Sequence, residues 1–181
     1  MENKLMIAGF GGQGVMLMGQ LLGFTAQEAD KNVTYYPSYG PEQRGGTANC
    51  TVVISDDKIA SPMPAEVDVF IAMNQPSLDK YKGKVRAGGV VIINTSHAVG
   101  ETDRDDVTVY ALPADDIARE AGSDRAANMV MLGAYLNVSK ILAPDQLIDT
   151  MKVQLARKAA FFDVNQAAIN KGIEAIECQA V

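Results

Sequence analysis

Two short, continuously apolar segments limit the possible folds of this 181-residue sequence more than any other feature. Residues 67–73 (VDVFIAM) and residues 90–94 (VVIIN) lack the alternation of apolar and polar side chains that is typical of a sheet with one solvated face. Apolar runs of this kind are typical of central strands that are covered on both faces. The sequence therefore predicts a sheet that lies between two layers of helices.

Segments with helical periodicity alternate with short apolar runs along most of the chain. This alternation predicts an α/β fold, a three-layer α/β/α sandwich with a mainly parallel, Rossmann-like sheet and a helical C-terminal region. We expect residues 1–181 to form a single domain, because no internal repeat or low-complexity linker divides the sequence. The predicted strands are residues 4–8, 33–36, 47–54 with a hairpin extension at 58–60, 67–73, 90–94 and 107–111. The predicted helices are residues 14–30, 75–82, 115–121, 125–142, 144–158 and 163–177.

The predicted helix at residues 125–142 is apolar on more than one narrow stripe. Met129, Met131, Leu132 and Tyr135 belong to this broad apolar surface. A helix of this kind either lies at the centre of the fold or is partly buried by another subunit, and we favour the central position.

The charge and composition of the chain argue against several classes of partner and site. A formal net charge of −6 and the lack of a Lys/Arg cluster disfavour nucleic acid and an anionic membrane as partners. No apolar stretch is long enough to span a bilayer and the first residues do not resemble a signal peptide, so we expect a cytoplasmic protein. The two cysteines, Cys50 and Cys178, are too few for an iron–sulfur cluster, which needs about four thiolates.

The segment IAGFGGQGVML, residues 7–17, has a glycine spacing that is typical of phosphate-binding loops. Gly9, Gly11 and Gly14 form G-x-G-x-x-G between a predicted strand and a predicted helix, whose free N–H groups and positive end favour an anion. An NAD enzyme also needs an acidic residue at the end of the second strand, roughly 20 residues further on. Here that strand ends in YYPS, which argues against a dinucleotide site. The alternative is that the glycines only permit a tight turn and close helix packing.

The segment PSYGPEQRGGTANC, residues 37–50, is an unusually distinctive connection between two predicted strands. Arg44 beside Gly45 and Gly46 would let a guanidinium and the backbone approach an oxyanion or a partner's carboxylate together. In an α/β fold this loop and the glycine loop follow neighbouring strands, so we expect them to border one crevice. A solvated loop held by its own tyrosines is the alternative.

Together these segments resemble a known family. The sequences GFGGQGVMLMGQLL and SYGPEQRGGTANCTVVIS, followed by VDVFIAMNQPSLDKY and AANMVMLGAYL, are similar to the gamma subunit, or domain III, of the 2-oxoacid:ferredoxin oxidoreductases. The resemblance covers essentially the whole chain and is greatest to the 2-oxoglutarate and 2-oxoisovalerate enzymes. It implies an enzyme complex that converts a 2-oxoacid, coenzyme A and oxidised ferredoxin into acyl-CoA, carbon dioxide and reduced ferredoxin.

The resemblance also implies how the cofactors are divided among the subunits. Thiamine diphosphate, magnesium and the iron–sulfur clusters belong to the partner subunits, and coenzyme A is a co-substrate. The expected partners are an alpha and a beta subunit, a delta subunit where the complex has one, and ferredoxin through the complex. This chain has no GDG motif followed by paired asparagines, so we expect no cofactor on it and no activity from it alone. A free-standing NAD(P)- or nucleotide-binding Rossmann-like protein is the alternative.

The resemblance implies that this subunit packs against the thiamine-binding subunits, near whose boundary coenzyme A must reach the thiamine adduct. Because two glycine-rich segments are predicted at one edge of the sheet, we expect both to line this boundary. Arg44 is expected to offer its charge there to a phosphate, a carboxylate or an acidic side chain of the partner. The residues expected to line this boundary are Gly11, Gly12, Gln13, Gly14, Tyr39, Gly40, Glu42, Arg44, Gly45, Gly46 and Thr47.

We expect no catalytic residue and no metal ligand in this chain. His97 has no nucleophile motif or second metal ligand near it in the sequence, and Cys50 lies in a predicted strand as a small core residue. Asp115 and Asp116 are expected only to stabilise the start of a helix. Asn74 follows a central strand and is a further candidate for the crevice.

Overall fold

The computed structural model describes residues 1–39 and 46–179, and in this part of the chain six strands form one mixed sheet. The strands are β1 (Glu2–Phe10), β2 (Asn32–Tyr39), β3 (Thr47–Ser55), β4 (Val67–Ala72), β5 (Val85–Asn94) and β6 (Thr108–Leu112). The α-helices are α1 (Val15–Glu28), α2 (Gln75–Tyr81), α3 (Ala114–Glu120), α4 (Ala127–Ser139), α5 (Pro144–Gln154) and α6 (Phe162–Glu177). Short 3₁₀ helices lie at Lys82–Lys84, Asp124–Ala126 and Ala156–Phe161.

The strands follow the order β2-β3-β1-β4-β5-β6, and the predicted mainly parallel sheet is confirmed. Parallel pairing joins β1 to β4, β4 to β5 and β5 to β6. Strand β3 is the reversed strand, since it runs antiparallel to both β1 and β2. The predicted hairpin extension at residues 58–60 is wrong, because these residues form no strand and β3 instead pairs with β2 and β1 on its two sides.

Several elements end at positions that differ from the prediction. Strand β2 continues through Pro37, which is tolerated because β2 is an edge strand and its outer edge needs no donor. The predicted helix at 144–158 ends as α5 at Gln154 and is followed by the 3₁₀ helix Ala156–Phe161. The predicted helix at 125–142 is shorter at both ends, because a 3₁₀ turn precedes α4 and Lys140 adopts a left-handed conformation after it.

Helices cover the two faces of the sheet unequally. One face packs against α1, α3, α4, α5 and α6 in a large apolar core. The other face forms a smaller cluster around Phe70, Val91 and Ile93, to which α2 contributes Leu78. The three-layer arrangement is therefore present, with most of the helical mass on one side.

Helix α4 lies at the centre of the larger core, as the favoured prediction states. Met131 and Tyr135 are fully buried, and the Tyr135 hydroxyl donates a hydrogen bond to Asn3 Oδ1 at 2.7 Å. Burial raises the pKa of that hydroxyl, so it remains protonated over the physiological range. The broad apolar surface of this helix is thus buried by other parts of the same chain.

Cys50 is a buried core residue, which confirms its predicted role. Its thiol lies 3.5 Å from the carbonyl oxygen of Val15, to which it donates a weak hydrogen bond. Burial raises the pKa of the thiol to about 12, so the reactive thiolate is scarce at neutral pH. Cys178, in contrast, is exposed at the end of α6.

Candidate functional site

A cleft of about 460 Å³ opens where β1, β4 and β5 reach their carboxyl ends. The glycine loop after β1 lines one side of it, and Met73 and Asn94 line it from the ends of β4 and β5. Residues of the 3₁₀ turn Asp124–Ala126 and of the first turn of α4 complete the lining. We call this space the glycine-loop cleft. Its position at the carboxyl edge of parallel strands is where α/β proteins commonly bind ligands.

Two glycines give the loop its shape. Gly12 and Gly14 have φ angles of 104° and 78°, a left-handed conformation that residues with a side chain adopt at a cost. A Cβ atom on Gly14 would overlap the Asn128 side-chain amide, whereas one on Gly12 would meet nothing within 4 Å in the part of the chain that is described. The backbone at Gly12 is therefore open to close approach by a ligand.

Gln13 holds the glycine loop to the ends of two strands. Its Oε1 accepts hydrogen bonds from Phe10 N at 2.7 Å and from Asn74 Nδ2 at 2.8 Å. Its Nε2 donates to the carbonyl oxygen of Met73 at 3.1 Å. The side chain predicted to line the boundary thus positions the loop, and Asn74 reaches the loop through it.

The second glycine-rich segment meets the first, as far as it is described. Gly11 N donates to the carbonyl oxygen of Gly46 at 3.0 Å, and Thr47 pairs with Phe10 across β1 and β3. Tyr39 ends β2 opposite Ala48. The other residues predicted for this segment lie outside the described residues; they are Gly40, Glu42, Arg44 and Gly45.

The helices α1 and α4 both begin at this cleft. In α1 the first helical hydrogen bond runs from Met18 N to Gly14 O at 3.0 Å, so the preceding amides have no partner within the helix. Helix α1 has no side-chain cap and no acidic residue in its first turn among the described residues, whereas α4 continues directly from the 3₁₀ helix Asp124–Ala126, which Ser123 caps. The positive end of α1, with its free N–H groups, favours an anion at this place.

Two polar side chains complete this part of the cleft. Asn128, in the first turn of α4, is only 8% exposed and borders the cleft beside Gly14. Its amide makes no hydrogen bond within residues 1–39 and 46–179, and it is not among the fully buried polar atoms without a partner, so it is open to the cleft. Arg125 is exposed and forms no ion pair within the same residues. Both side chains are available to a ligand.

The structure also brings together His97 and Asp115, whose Nε2 and Oδ2 atoms are 2.7 Å apart. Asn94 Nδ2 donates to the other carboxylate oxygen of Asp115 at 3.1 Å, so the carboxylate is held from two sides. Asp115 does begin α3 as predicted, but it also orients an imidazole that is 47% exposed and borders the cleft. This pair was difficult to predict from the sequence, because His97 and Asp115 follow different strands and are neighbours only in the folded sheet.

The described residues do not fit a metal or an iron–sulfur cluster. No group of three His, Cys, Asp or Glu side chains within them could hold a metal ion. Cys50 lies in the core and Cys178 lies exposed at the far end of α6. Within the same part of the chain, no helix is both long and apolar enough to cross a membrane.

Comparison with protein families and curated relatives agrees with this fold. Residues 4–175 match the family described as pyruvate ferredoxin/flavodoxin oxidoreductase. The ketoisovalerate oxidoreductase subunit VorA of Methanothermobacter marburgensis is 39% identical over 174 residues, which cover 96% of this chain and 36% of the relative. The 2-oxoglutarate synthase subunit KorC of Methanocaldococcus jannaschii is 35% identical over 179 residues, which cover 96% of this chain and 94% of the relative. The chain thus spans about a third of VorA and nearly all of KorC.

Solved structures show the same architecture. The gamma subunit of a keto/oxoacid ferredoxin oxidoreductase from Geobacter sulfurreducens matches with a TM-score of 0.83 and 27% identity, covering 97% of this chain and 99% of that one. The 2-oxoglutarate:ferredoxin oxidoreductase from Magnetococcus marinus, solved with 2-oxoglutarate, coenzyme A and succinyl-CoA, matches with a TM-score of 0.88 and 25% identity over 98% of this chain and 31% of that chain. With a family match over nearly its whole length and a gamma-subunit fold, this chain belongs to the pyruvate ferredoxin/flavodoxin oxidoreductase family.

Proposed function

We propose that this chain is the gamma subunit of a 2-oxoacid:ferredoxin oxidoreductase. The complex would convert a 2-oxoacid, coenzyme A and oxidised ferredoxin into acyl-CoA, carbon dioxide and reduced ferredoxin. The main support is the glycine-loop cleft, which offers an anion the free amides of α1 within a fold shared with a gamma subunit. The names of the relatives favour a 2-oxoglutarate or ketoisovalerate enzyme.

In this proposal the partner subunits perform the redox chemistry. Alpha and beta subunits, with a delta subunit where the complex has one, would hold thiamine diphosphate, magnesium and the iron–sulfur clusters and would receive ferredoxin. The described residues of this chain do not fit such clusters, which supports that division of labour. We place the complex in the cytoplasm, where an exposed thiol such as Cys178 stays reduced.

The contribution of this chain is to bind coenzyme A and present it to the partner. The backbone at Gly12 and the free amides before Met18 would contact the phosphates, and Arg125 would supply positive charge. His97, held by Asp115, would border the same ligand. The thiol end would extend out of the cleft towards the thiamine-binding subunit, which would carry out the acyl transfer.

The second glycine-rich segment would close the boundary between subunits. The hydrogen bond between Gly11 and Gly46 supports this, because it brings the segment to the glycine loop. The residues proposed to line the boundary there are Tyr39, Gly40, Glu42, Arg44, Gly45, Gly46 and Thr47. Arg44 is the one that would offer a full positive charge.

Replacing Arg44 with alanine in the assembled complex is expected to raise the Michaelis constant for coenzyme A about tenfold, because a charge-assisted hydrogen bond contributes roughly 1.5–3 kcal/mol. If Arg44 pairs with the partner subunit instead, the variant will assemble poorly. Arg119→Ala is the matched control, since Arg119 is exposed on α3 and pairs only with Asp116 among the described residues. Steady-state ferredoxin reduction and size-exclusion chromatography measure both effects. Unchanged assembly together with an unchanged Michaelis constant would refute the proposed role of Arg44.

A further inference from the structure

The two edge strands of the sheet differ in how they discourage another strand from pairing with them. Strand β2, at one end, carries Pro37, which has no N–H group to offer a neighbouring strand. Strand β6, at the other end, pairs only with β5 among the described strands. Its sequence, TVYAL, contains neither proline nor a charged residue and is rich in residues that favour extended structure. The strand itself therefore carries no feature that would prevent pairing.

The side chain of Gln179 covers part of the outer edge of β6. Its Nε2 donates to the carbonyl oxygen of Ala111 at 2.7 Å, and Ala111 N donates to its Oε1 at 3.2 Å. The side-chain amide thus makes the pair of hydrogen bonds with Ala111 that the backbone of an added strand would make. Because backbone groups alternate in direction along a strand, those of Val109 point to the same side. Gln179 therefore occupies the surface that an added strand would need.

The last turn of α6 holds Gln179 in this position. Gln179 N donates to the carbonyl oxygen of Ile176 at 3.0 Å, which fixes the backbone next to the amide. Helix α6 is in turn held against α4, where Asn137 Nδ2 donates to the carbonyl oxygen of Ile173 at 3.0 Å. Since the backbone is already ordered, the amide loses little conformational entropy when it meets β6.

We propose that Gln179 guards the edge of β6 and prevents two copies of this chain from pairing through that strand. A second copy is the partner that the edge fits, because two identical antiparallel strands present the same groups to each other across a two-fold axis. With no charge in Thr108–Leu112, such pairing places uncharged side chains opposite one another and meets no repulsion. Without Gln179, the six-stranded sheets of two copies would join edge to edge.

The test compares the full chain with its Gln179→Ala variant. At low concentration, loss of the amide should make the Ala111 N–H exchange with solvent about fivefold faster, as expected when one hydrogen bond is removed. At high concentration the variant should self-associate, and its mass in sedimentation equilibrium should rise from that of one chain towards that of two. Exchange at Ala111 should then slow again, because the second copy covers the edge. Circular dichroism of the dilute variant should match that of wild type.

Thr108→Lys, added to Gln179→Ala, locates the contact between the copies. Thr108 is exposed on β6, and a lysine there places a charge on the edge strand, which opposes strand pairing. The double variant should remain a monomer at every concentration while exchange at Ala111 stays fast. Gln27→Ala is the matched control, since Gln27 is an exposed glutamine on α1, a helix that packs against β2 and β3. It should match wild type in both exchange and mass.

Three outcomes would overturn the inference. Unchanged exchange at Ala111 in dilute Gln179→Ala would show that the amide does not cover the edge. Faster exchange in a variant that remains a monomer would show that the edge needs no such cover. Self-association that persists in the double variant would show that the copies meet through another surface.

Discussion

Replacing Gly172 with alanine is expected to lower the free energy of unfolding by about 3 kcal/mol, the upper part of the usual range for overpacking. Gly172 lies in α6 where that helix crosses α4, and a Cβ atom there would overlap the carbonyl oxygen of Val130. Gly133 in α4 makes the reciprocal close approach to Ile169. Because the obstructing atoms are backbone atoms, the two helices must separate to admit a methyl group. For a chain of this size the melting temperature should fall by about 6–12 °C.

Gly23→Ala is the matched control for this variant. Gly23 also lies within a helix, α1, but an added Cβ atom would meet nothing within 4 Å in the described part of the chain. Alanine has the higher helix propensity, so this variant should be unchanged or more stable by up to about 1 kcal/mol. Thermal melts followed by circular dichroism compare the two. Equal stability of Gly172→Ala and wild type would contradict the close contact between α4 and α6.

Gln13→Ala is expected to disorder the glycine loop and to raise the Michaelis constant for coenzyme A about tenfold in the assembled complex. The change removes the hydrogen bonds to Phe10 N, Met73 O and Asn74 Nδ2. Each lost hydrogen bond costs about 1 kcal/mol, so the loop would be ordered in only a fraction of the molecules. The co-substrate would then have to order the loop as it binds, which weakens apparent affinity more than it changes kcat.

Gln20→Ala provides the comparison, since Gln20 is an exposed residue further along α1. It should leave both the Michaelis constant and stability unchanged. Amide hydrogen exchange of residues 9–17 would report loop order directly, with faster exchange expected in Gln13→Ala. If exchange and the Michaelis constant match those of wild type, Gln13 does not hold the loop.

Helix α4 contacts both of the regions that Gly172→Ala and Gln13→Ala change. Its middle packs against α6 through Gly133, and its first turn places Asn128 beside the glycine loop. The position of the site therefore depends on the core. A shift of α4 in Gly172→Ala would also move Asn128 relative to Gly14.

The central strands could be predicted from sequence because the apolar pattern that identifies them lies within a few successive residues. β4 and the end of β5 are buried on both faces, and such strands must be apolar at successive positions. The direction of β3 could not be predicted, because alternation of side chains is the same for parallel and antiparallel strands. Its orientation follows from its pairing between β2 and β1, which is a contact over long sequence distance.

The candidate site was predictable only in part. The glycine loop has a local pattern, since a strand, a left-handed turn and a helix start must follow one another within a few residues. Arg125, Asn128 and His97 have no such pattern. They reach the cleft because the carboxyl end of β5 and the start of α4 lie near the glycine loop in the folded chain. Their shared position, after a strand or at the start of a helix, is the one signal that could have identified them.

The most direct test of the proposed role is to purify the tagged full chain from its native cell. We predict that it brings down larger subunits with the broad visible absorbance of iron–sulfur clusters. The isolated material should reduce ferredoxin only when a 2-oxoacid and coenzyme A are both present, and the chain separated from its partners should be inactive. A chain that elutes alone, binds NAD(P)H and needs no partner for activity would contradict the assignment.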